Sequence, residues 1–389
     1  VLKGKLTVHG GDALEVLKEF DADIIDAVVT DPPYGLTDMP AAKVVKALTT
    51  WIGGDRCHVP DGAGFMSERW DSFVPPPAVW DECLRVLKPG AHMFVFSGAR
   101  TMDLMGLSIR LAGFEIRDTI SWIRSDGMPK GQEVSRAMIR AGAPNDIAEQ
   151  WKDWHSALKP AVEPIIVARK PLNGTLIANV AAHGTGALNI GDSRIAANVR
   201  PLREVRLNGE ASKVFRNGKG SVAVGTTDLG RFPANVILDE TAAAHLDKQT
   251  GTLTSGKPSA DGHIRNDREK KGVFGNGKGL FTDAGDAGTL YGDSGGASRF
   301  FYCPKAPKSE RIEIDGKFHP SVKPLTLMRY LVRLAVPENA VVLDLFAGSG
   351  TTGEACLLEN RRAVLIEDNP DYLPLIKARA SRTQTTKAR

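Results

Sequence analysis

Val341-Val342-Leu343-Asp344-Leu345-Phe346 runs directly into Ala347-Gly348-Ser349-Gly350-Thr351-Thr352-Gly353. An apolar run of strand length gives way to a glycine turn and then to a helix, Thr351 to Glu359. Gly348, Gly350 and Gly353 match G-x-G-x-x-G, and Glu367 follows Gly348 by 19 positions, at the end of the next strand pattern, Arg362 to Ile366. Strand, turn, helix and a placed acid together make a nucleotide-binding pattern in its confirming context. Glycines let the backbone approach a ligand closely, and the acid can accept bonds from ribose hydroxyls. A tight turn without a ligand is the plainer alternative; the joint presence of all four parts argues against it.

Only 36 residues follow Gly353, room for one strand and a helix, Tyr372 to Ser381. A dinucleotide fold needs several further strands after its fingerprint. Here they can come only from the N-terminal part, so one sheet must be assembled from both ends of the chain. The first 170 residues supply the pattern. Strands are predicted at Leu6–His9, Ala27–Thr30, His92–Ser97, Ile116–Trp122 and Pro164–Ala168. Helices are predicted at Ala13–Phe20, Pro77–Leu87 and Met102–Ala112, and Thr326–Ala335 precedes the Ala340–Leu345 strand. Such alternation predicts an α/β fold with a largely parallel sheet covered by helices.

Asp31-Pro32-Pro33-Tyr34 follows the apolar run Ile24 to Thr30. A carboxylate, two stiff prolines and an aromatic ring therefore stand where a strand leaves the sheet, the edge at which open α/β sheets bind ligands. A proline-rich turn is the bland reading of these four residues alone. The chemical reading is a holder for a flat ring bearing an amino group. The lone pair of an exocyclic amino nitrogen is delocalised, so that nitrogen is a poor nucleophile. Acceptors on both of its N–H groups favour a localised lone pair. The Asp31 carboxylate can be one acceptor and the Pro32 carbonyl, on a chain stiffened by proline, the other. Tyr34 can stack on such a ring. Positioning and electrostatics would carry the rate, without a metal or a covalent nucleophile.

Together and in this order, the two motifs resemble an amino-group DNA methyltransferase of the β arrangement. In that family the catalytic tetrapeptide precedes the target-recognition region and the cofactor turn comes last. The resemblance covers roughly residues 1–170 and 310–380. His319-Pro320-Ser321-Val322-Lys323-Pro324 matches the family motif near the methionine end of the cofactor, Gly11-Asp12 its acidic position near the adenine, and Ile366-Glu367-Asp368 its ribose-binding acid. Leu345 departs from the proline often found after the first aspartate. The resemblance implies a doubly wound mixed sheet of the S-adenosylmethionine-dependent, Rossmann-like type, circularly permuted, with an inserted target-recognition region. It implies Asp31, Pro32, Pro33 and Tyr34 as catalytic residues. The implied S-adenosylmethionine contacts are Asp12, Asp31, Ser321, Lys323, Asp344, Phe346, Ala347, Gly348, Ser349, Gly350, Thr351, Thr352, Glu367 and Asp368. Aspartate first in the tetrapeptide is commoner for adenine and serine for cytosine, so adenine-N6 methylation of double-stranded DNA is expected, with cytosine-N4 as the alternative. RNA or protein-amide methylation fits less well, because those relatives usually carry asparagine first and the opposite motif order. An inactive DNA-binding module is opposed by the intact Asp31, Tyr34, Gly348, Gly350 and Glu367. A homodimer and a cognate restriction nuclease are partners the sequence leaves open.

The expected organisation is a catalytic part at 1–170, a loop-rich target-recognition region at 171–310, and a cofactor-binding part at 311–389. The middle segment carries no recognisable family pattern. Ser255 to Phe300 holds 11 glycines in 46 residues with little apolar periodicity, which favours loops. Arg200 to Arg231 holds seven Lys/Arg against three Asp/Glu. This is a solvated surface or a nucleic-acid contact, with Arg200, Arg203, Arg206, Arg216 and Arg231 as the DNA-binding candidates. Trp151 and Trp154 are expected to pack on a helix rather than to stack on bases. Lys377, Arg379 and Arg382 are read equally well as a solvated helix end or as phosphate contacts. Phe300-Phe301-Tyr302-Cys303 is expected to be a strand, which opposes a nucleophilic role for Cys303. His58 beside Cys57 is expected to be a loop residue.

Composition sets few further limits. Hydrophobic residues make up 42% and charged residues 25%, ordinary for a globular domain, and the net charge of +4 permits a polyanionic partner without requiring one. Cys57, Cys83, Cys303 and Cys356 form no CxxC pair, so free thiols in a reducing cytoplasm are expected, without zinc or disulfides. No signal-peptide pattern and no apolar stretch approaching a membrane span are seen.

Overall fold

The structure, a computed structural model, describes residues 4–37, 39–62, 71–127, 131–197, 200–205, 221–254, 294–304, 310, 312–314, 316–319 and 321–387. In chain order the N-terminal half forms β1 (Leu6–Gly10), α1 (Ala13–Lys18), β2 (Ile25–Thr30), α2 (Ala41–Ile52), α3 (Pro77–Val86), β3 (Leu87–Phe96), α4 (Met102–Leu111), β4 (Glu115–Ile123), α5 (Val134–Arg140), α6 (Asn145–Glu149), β5 (Val162–Arg169) and α7 (Leu176–His183). Then come β6 (Arg200–Val205), β7 (Ser221–Thr227), β8 (Val236–Leu238), α8 (Glu240–Thr250), β9 (Leu253–Thr254) and β10 (Ser294–Gly295). The C-terminal part adds β11 (Glu313–Ile314), β12 (Lys317–Phe318), α9 (Leu325–Ala335), β13 (Val341–Asp344), α10 (Thr351–Leu358), β14 (Arg362–Glu367) and α11 (Leu373–Lys387).

Among the described residues, eight strands form one sheet in the order β1-β14-β13-β2-β3-β5-β4-β8. Strands β1, β14, β13, β2 and β3 run parallel, and β5 runs antiparallel to both β3 and β4. Strands β14 and β13 thus lie between β1 and β2, so one sheet draws on both parts of the chain, as expected. The sheet is mixed and permuted, as the resemblance implied. Strand β8, from within the 171–310 region, adds to β4 in parallel.

Both faces of the sheet are covered. Along β2, Val28 packs with Leu17, Trp51, Trp80 and Met105 of α1 to α4. Its neighbours Ala27 and Val29 pack with Leu327, Leu331, Ala355 and Ile376 of α9 to α11. Successive side chains of a strand point to opposite faces, so a central strand under two helical layers must be apolar throughout. Local signals place the helices. Asp12 caps α1 by accepting the Glu15 N–H at 3.1 Å. Pro77 opens α3 at a position where a missing N–H costs nothing. Gly184, at φ +73°, ends α7.

The chain divides into two compact units. One takes in the described residues of Val1–Ser193, Ala234–Ala243 and Tyr302–Arg389, and the other those of Arg194–Pro233 and Ala244–Phe301. In the second unit β6 pairs antiparallel with β7, placing Arg200 opposite Thr227 and Arg203 opposite Ala223. The Arg231 guanidinium lies 5.0 Å from the Phe300 ring centroid.

Three expectations need correction. Ala297–Phe300 is a 3-10 turn rather than part of a strand, and Tyr302 makes only an isolated parallel bridge to Ile237. Trp151 and Trp154 lie beyond the end of α6, 42% and 60% exposed, and meet each other edge to face at 5.2 Å instead of packing a helix. Lys377 is exposed as a solvated helix end predicts, but Arg379 is fully buried and Arg382 half-buried. Both arginines pair with Glu354, whose burial on α10 demands compensating cations. Among the described residues no helix is long and apolar enough to cross a membrane.

Candidate active site

Strands β2 and β13 are parallel neighbours, so their carboxyl ends open onto the same edge of the sheet. The Asp31 tetrapeptide leaves β2 there, and the glycine turn leaves β13 beside it. A buried hydrogen bond ties the two exits: Thr30 Oγ1 donates to Asp344 Oδ1 at 2.7 Å. Asp344 also accepts from Thr352 Oγ1 at 2.5 Å and from the Phe346 N–H at 3.2 Å. Burial pushes the Asp344 carboxyl up to about 6, against these donors.

The tetrapeptide is held from behind. The buried Asp71 accepts the Tyr34 and Gly35 N–H groups at 2.8 Å each, and Leu36 N–H at 3.4 Å. Thr101 Oγ1 donates to the Tyr34 carbonyl at 2.6 Å. Gly35 sits at φ +64°, and a Cβ there would lie 2.9 Å from the Phe73 Cα. Three backbone donors converging on one carboxylate fix where the Tyr34 ring emerges.

In front of the tetrapeptide lies a charged cluster. The Tyr34 hydroxyl is within 2.7 Å of both Asp31 Oδ1 and Glu163 Oε1. Lys323 Nζ is 2.9 Å from Asp31 Oδ2, 2.6 Å from Glu163 Oε1 and 3.0 Å from the Tyr34 oxygen. Arg124 Nη1 donates to Glu163 Oε2 at 3.0 Å. Burial opposes the Lys323 ammonium, but Asp31 and Glu163 together hold its pKa above the ordinary lysine value. Burial likewise opposes the Glu163 carboxylate, and Lys323, Tyr34 and Arg124 hold it below the usual range. Burial and the two carboxylates push the Tyr34 phenol well up, so it remains a donor.

The glycine turn is built as a cradle. Gly348 and Gly350 take φ of +53° and +83°. A Cβ on Gly348 would fall 2.9 Å from the His319 Nε2. Ala347 N–H donates to the Ile366 carbonyl at 2.9 Å, binding the turn to β14. Glu367, at the end of β14, accepts the Gly348 N–H at 2.6 Å and the Asn369 N–H at 2.9 Å, and burial pushes its carboxyl up to about 7. A close-approach glycine turn with a carboxylate at its side fits the ribose of an adenosyl group. His319 lies at this turn while Lys323, four positions on, lies at Asp31.

Other expected site residues stand at this edge with partners of their own. Asp12 caps α1, and the preceding Gly11 N–H donates to the Glu367 carbonyl at 3.0 Å. Ser349 is buried, and its carbonyl and Oγ accept from Arg379 at 3.0 and 3.2 Å. Thr351 is buried, whereas Asp368 and Ser321 are exposed. Pro32 is buried, and Pro33 and Phe346 are half-buried. Arg200 and Arg203 lie on β6 and Arg231 near Phe300, all in the second unit. Arg206 and Arg216 lie outside the described residues. His58 is a loop residue whose carbonyl accepts from Trp51 Nε1 at 2.8 Å. Sequence reasoning missed Thr30, Asp71, Arg124 and Glu163.

Residues 25–378 match the family model described as DNA methylase, the N6/N4 amino-methyltransferase family, and the chain belongs to that family. It is a DNA methyltransferase, and the family depends on S-adenosylmethionine. The chain is 23% identical over 382 residues to the type II methyltransferase M.HindIII of Haemophilus influenzae, covering 93% of this chain and 91% of that one. It is 39% identical over 80 residues to the type II methyltransferase M.BglI of Bacillus subtilis, covering 20% and 21%. Among solved structures, M1.HpyAVI aligns over 96% of this chain and 98% of its own, with 15% identity and a TM-score of 0.42. The cytosine-N4-specific PvuII DNA methyltransferase aligns over 97% and 86%, with 13% identity and a TM-score of 0.47.

Proposed function

We propose that the protein methylates the exocyclic N6 amino group of adenine in double-stranded DNA, at a sequence chosen by the 171–310 segment. The observation that carries this reading is the pairing of two half-sites, the Asp31 tetrapeptide and the Gly348 turn, on adjoining strands joined by Thr30 and Asp344. The cofactor, S-adenosylmethionine, supplies a methyl group on a sulfonium sulfur that keeps the electron pair of the broken C–S bond. Asp31 and the Pro32 carbonyl accept the two N–H groups of the base and localise its nitrogen lone pair, which forms the new N–C bond. The proton shed by that nitrogen leaves through its hydrogen bond to Asp31. Tyr34 stacks on the flipped base, its ring set by Asp71 from behind. Glu367 would accept the ribose hydroxyls, and residues 346–350 would hold the adenosyl group. Asp344 and Thr352 serve the turn from inside.

The base readers fall among Arg200, Arg203, Arg206, Arg216 and Arg231, since arginine suits guanine and phosphate alike. A DNA substrate and the thiol pattern favour a cytoplasmic enzyme. The test is labelled-methyl transfer to DNA from a methylation-free host, followed by digestion to nucleosides. N6-methyl-2′-deoxyadenosine is expected; N4-methyl-2′-deoxycytidine alone would overturn the adenine assignment, and transfer only to RNA or protein would overturn the substrate.

A further inference from the structure

Asp31 and Glu163 share the same two donors. The Tyr34 hydroxyl lies 2.7 Å from an oxygen of each, yet it carries one proton and serves one carboxylate at a time. Lys323 Nζ is likewise divided, at 2.9 Å from Asp31 and 2.6 Å from Glu163. This sharing bears on the methyl transfer to a base amino group, and the role assigned to Glu163 rests on that reading of the site. In that transfer Asp31 must accept an N–H from an amino nitrogen that gains positive charge as its new bond forms. An ammonium on Asp31 opposes that charge, and two resident donors compete for its lone pairs. Glu163 offers both donors another place. Its second oxygen is taken by Arg124, itself held by two 3.0 Å bonds to Asp126, so Glu163 Oε1 stays turned toward Tyr34 and Lys323.

We propose that Glu163 is a positioning residue that draws Lys323 and the Tyr34 hydroxyl off Asp31 when a base amino group is seated, so that Asp31 meets the developing positive charge as a free carboxylate. Glu163 stands at the start of β5, and β5 enters the sheet at the edge where β2 and β3 end, because it runs antiparallel to β3. The fold therefore supplies the second carboxylate from a strand of opposite direction.

The experiment compares Glu163→Gln with the double variants Glu163→Gln/Lys323→Met and Glu163→Gln/Tyr34→Phe. Initial rates of labelled-methyl transfer to DNA from a methylation-free host give kcat and the KM for DNA, and calorimetry gives S-adenosylmethionine affinity. Glutamine keeps the shape but cannot compete for an ammonium. Glu163→Gln should lower kcat at least about tenfold with cofactor affinity unchanged. Each double variant should be faster than Glu163→Gln, because a donor that burdens Asp31 has gone. A merely structural role would not yield that rescue. If Lys323→Met weakens cofactor binding, the Tyr34→Phe pair decides. Undiminished kcat in Glu163→Gln, or losses that multiply in both double variants at intact cofactor affinity, would overturn the role. No transfer to DNA by the unsubstituted protein would overturn the reading of the site, and this role with it.

Discussion

Thr30 and Asp344 stand 314 positions apart, and their side chains meet in the core at 2.7 Å. Each is one step from a proposed half-site: Thr30 precedes Asp31, and Asp344 ends the strand that leads into the glycine turn. The Thr30 oxygen also accepts the Leu345 N–H at 3.2 Å. Replacing Thr30 by Val keeps the shape and strips both bonds, leaving a buried N–H and part of a carboxylate unserved. The expected loss is about 1–3 kcal/mol in urea unfolding, with slower methyl transfer because the half-sites are no longer held in register. A stability and rate equal to those of the parent would show that packing alone sets the register.

Asp31→Ala removes the proposed acceptor and leaves the glycine turn untouched. Methyl transfer should fall by about 10²–10³-fold or more, while calorimetry still detects S-adenosylmethionine. Full turnover in this variant would remove Asp31 from the chemistry.

The Glu367 carboxyl, pushed up to about 7 by burial, gives a pH signature. The ionised form is the stronger acceptor for ribose hydroxyls, so cofactor affinity should weaken as pH falls from 8 to 6, by up to about tenfold. Stability runs the other way. A carboxyl raised in the fold adds stability below its unfolded pKa and loses it as pH rises through the folded value. The cofactor-free protein should therefore lose this contribution between about pH 4.5 and 7. Glu367→Gln should flatten both trends. An affinity profile that keeps its slope in Glu367→Gln would assign the titration elsewhere.

Arg379 is fully buried and bonds Glu354 at 2.8 Å, the Ser349 carbonyl at 3.0 Å and the Glu310 carbonyl at 3.0 Å. Arg379→Met should destabilise the protein by about 3 kcal/mol, because Glu354 is left with only Arg382. Adding Glu354→Gln should recover part of that loss in the same denaturation assay. Additive losses would mean that the two residues act independently.

Much of the catalytic edge was legible because its signals are local. The Asp31 tetrapeptide, the Gly348 turn and the Glu367 acid each lie at the end of a strand whose apolar run can be read directly, and their order implied one sheet assembled from both ends of the chain; that β13 and β14 lie between β1 and β2 came only from the structure. Glu163 was not legible for a definite reason. Periodicity marks β5 as a strand but not its direction, and only the antiparallel direction puts its first residues beside Asp31. Asp71 was hidden differently, since its partners are backbone N–H groups, which leave no trace in residue type. Arg379 was misread because basic residues toward a helix end are usually solvated, and only the burial of Glu354 reverses that expectation.

The place of β14 beside β1, and of β13 beside β2, also bears on how the chain matures on the ribosome. A nascent chain that stops before Val341 has made the Asp31 tetrapeptide but neither the strand that pairs β1 nor the Gly348 turn. Its β2 has one edge unpaired, and its thread of sheet cannot close. Translation must pass Glu367 before the strands that join the two ends of this sheet exist, so the permuted order delays assembly of the edge until β13 and β14 are made.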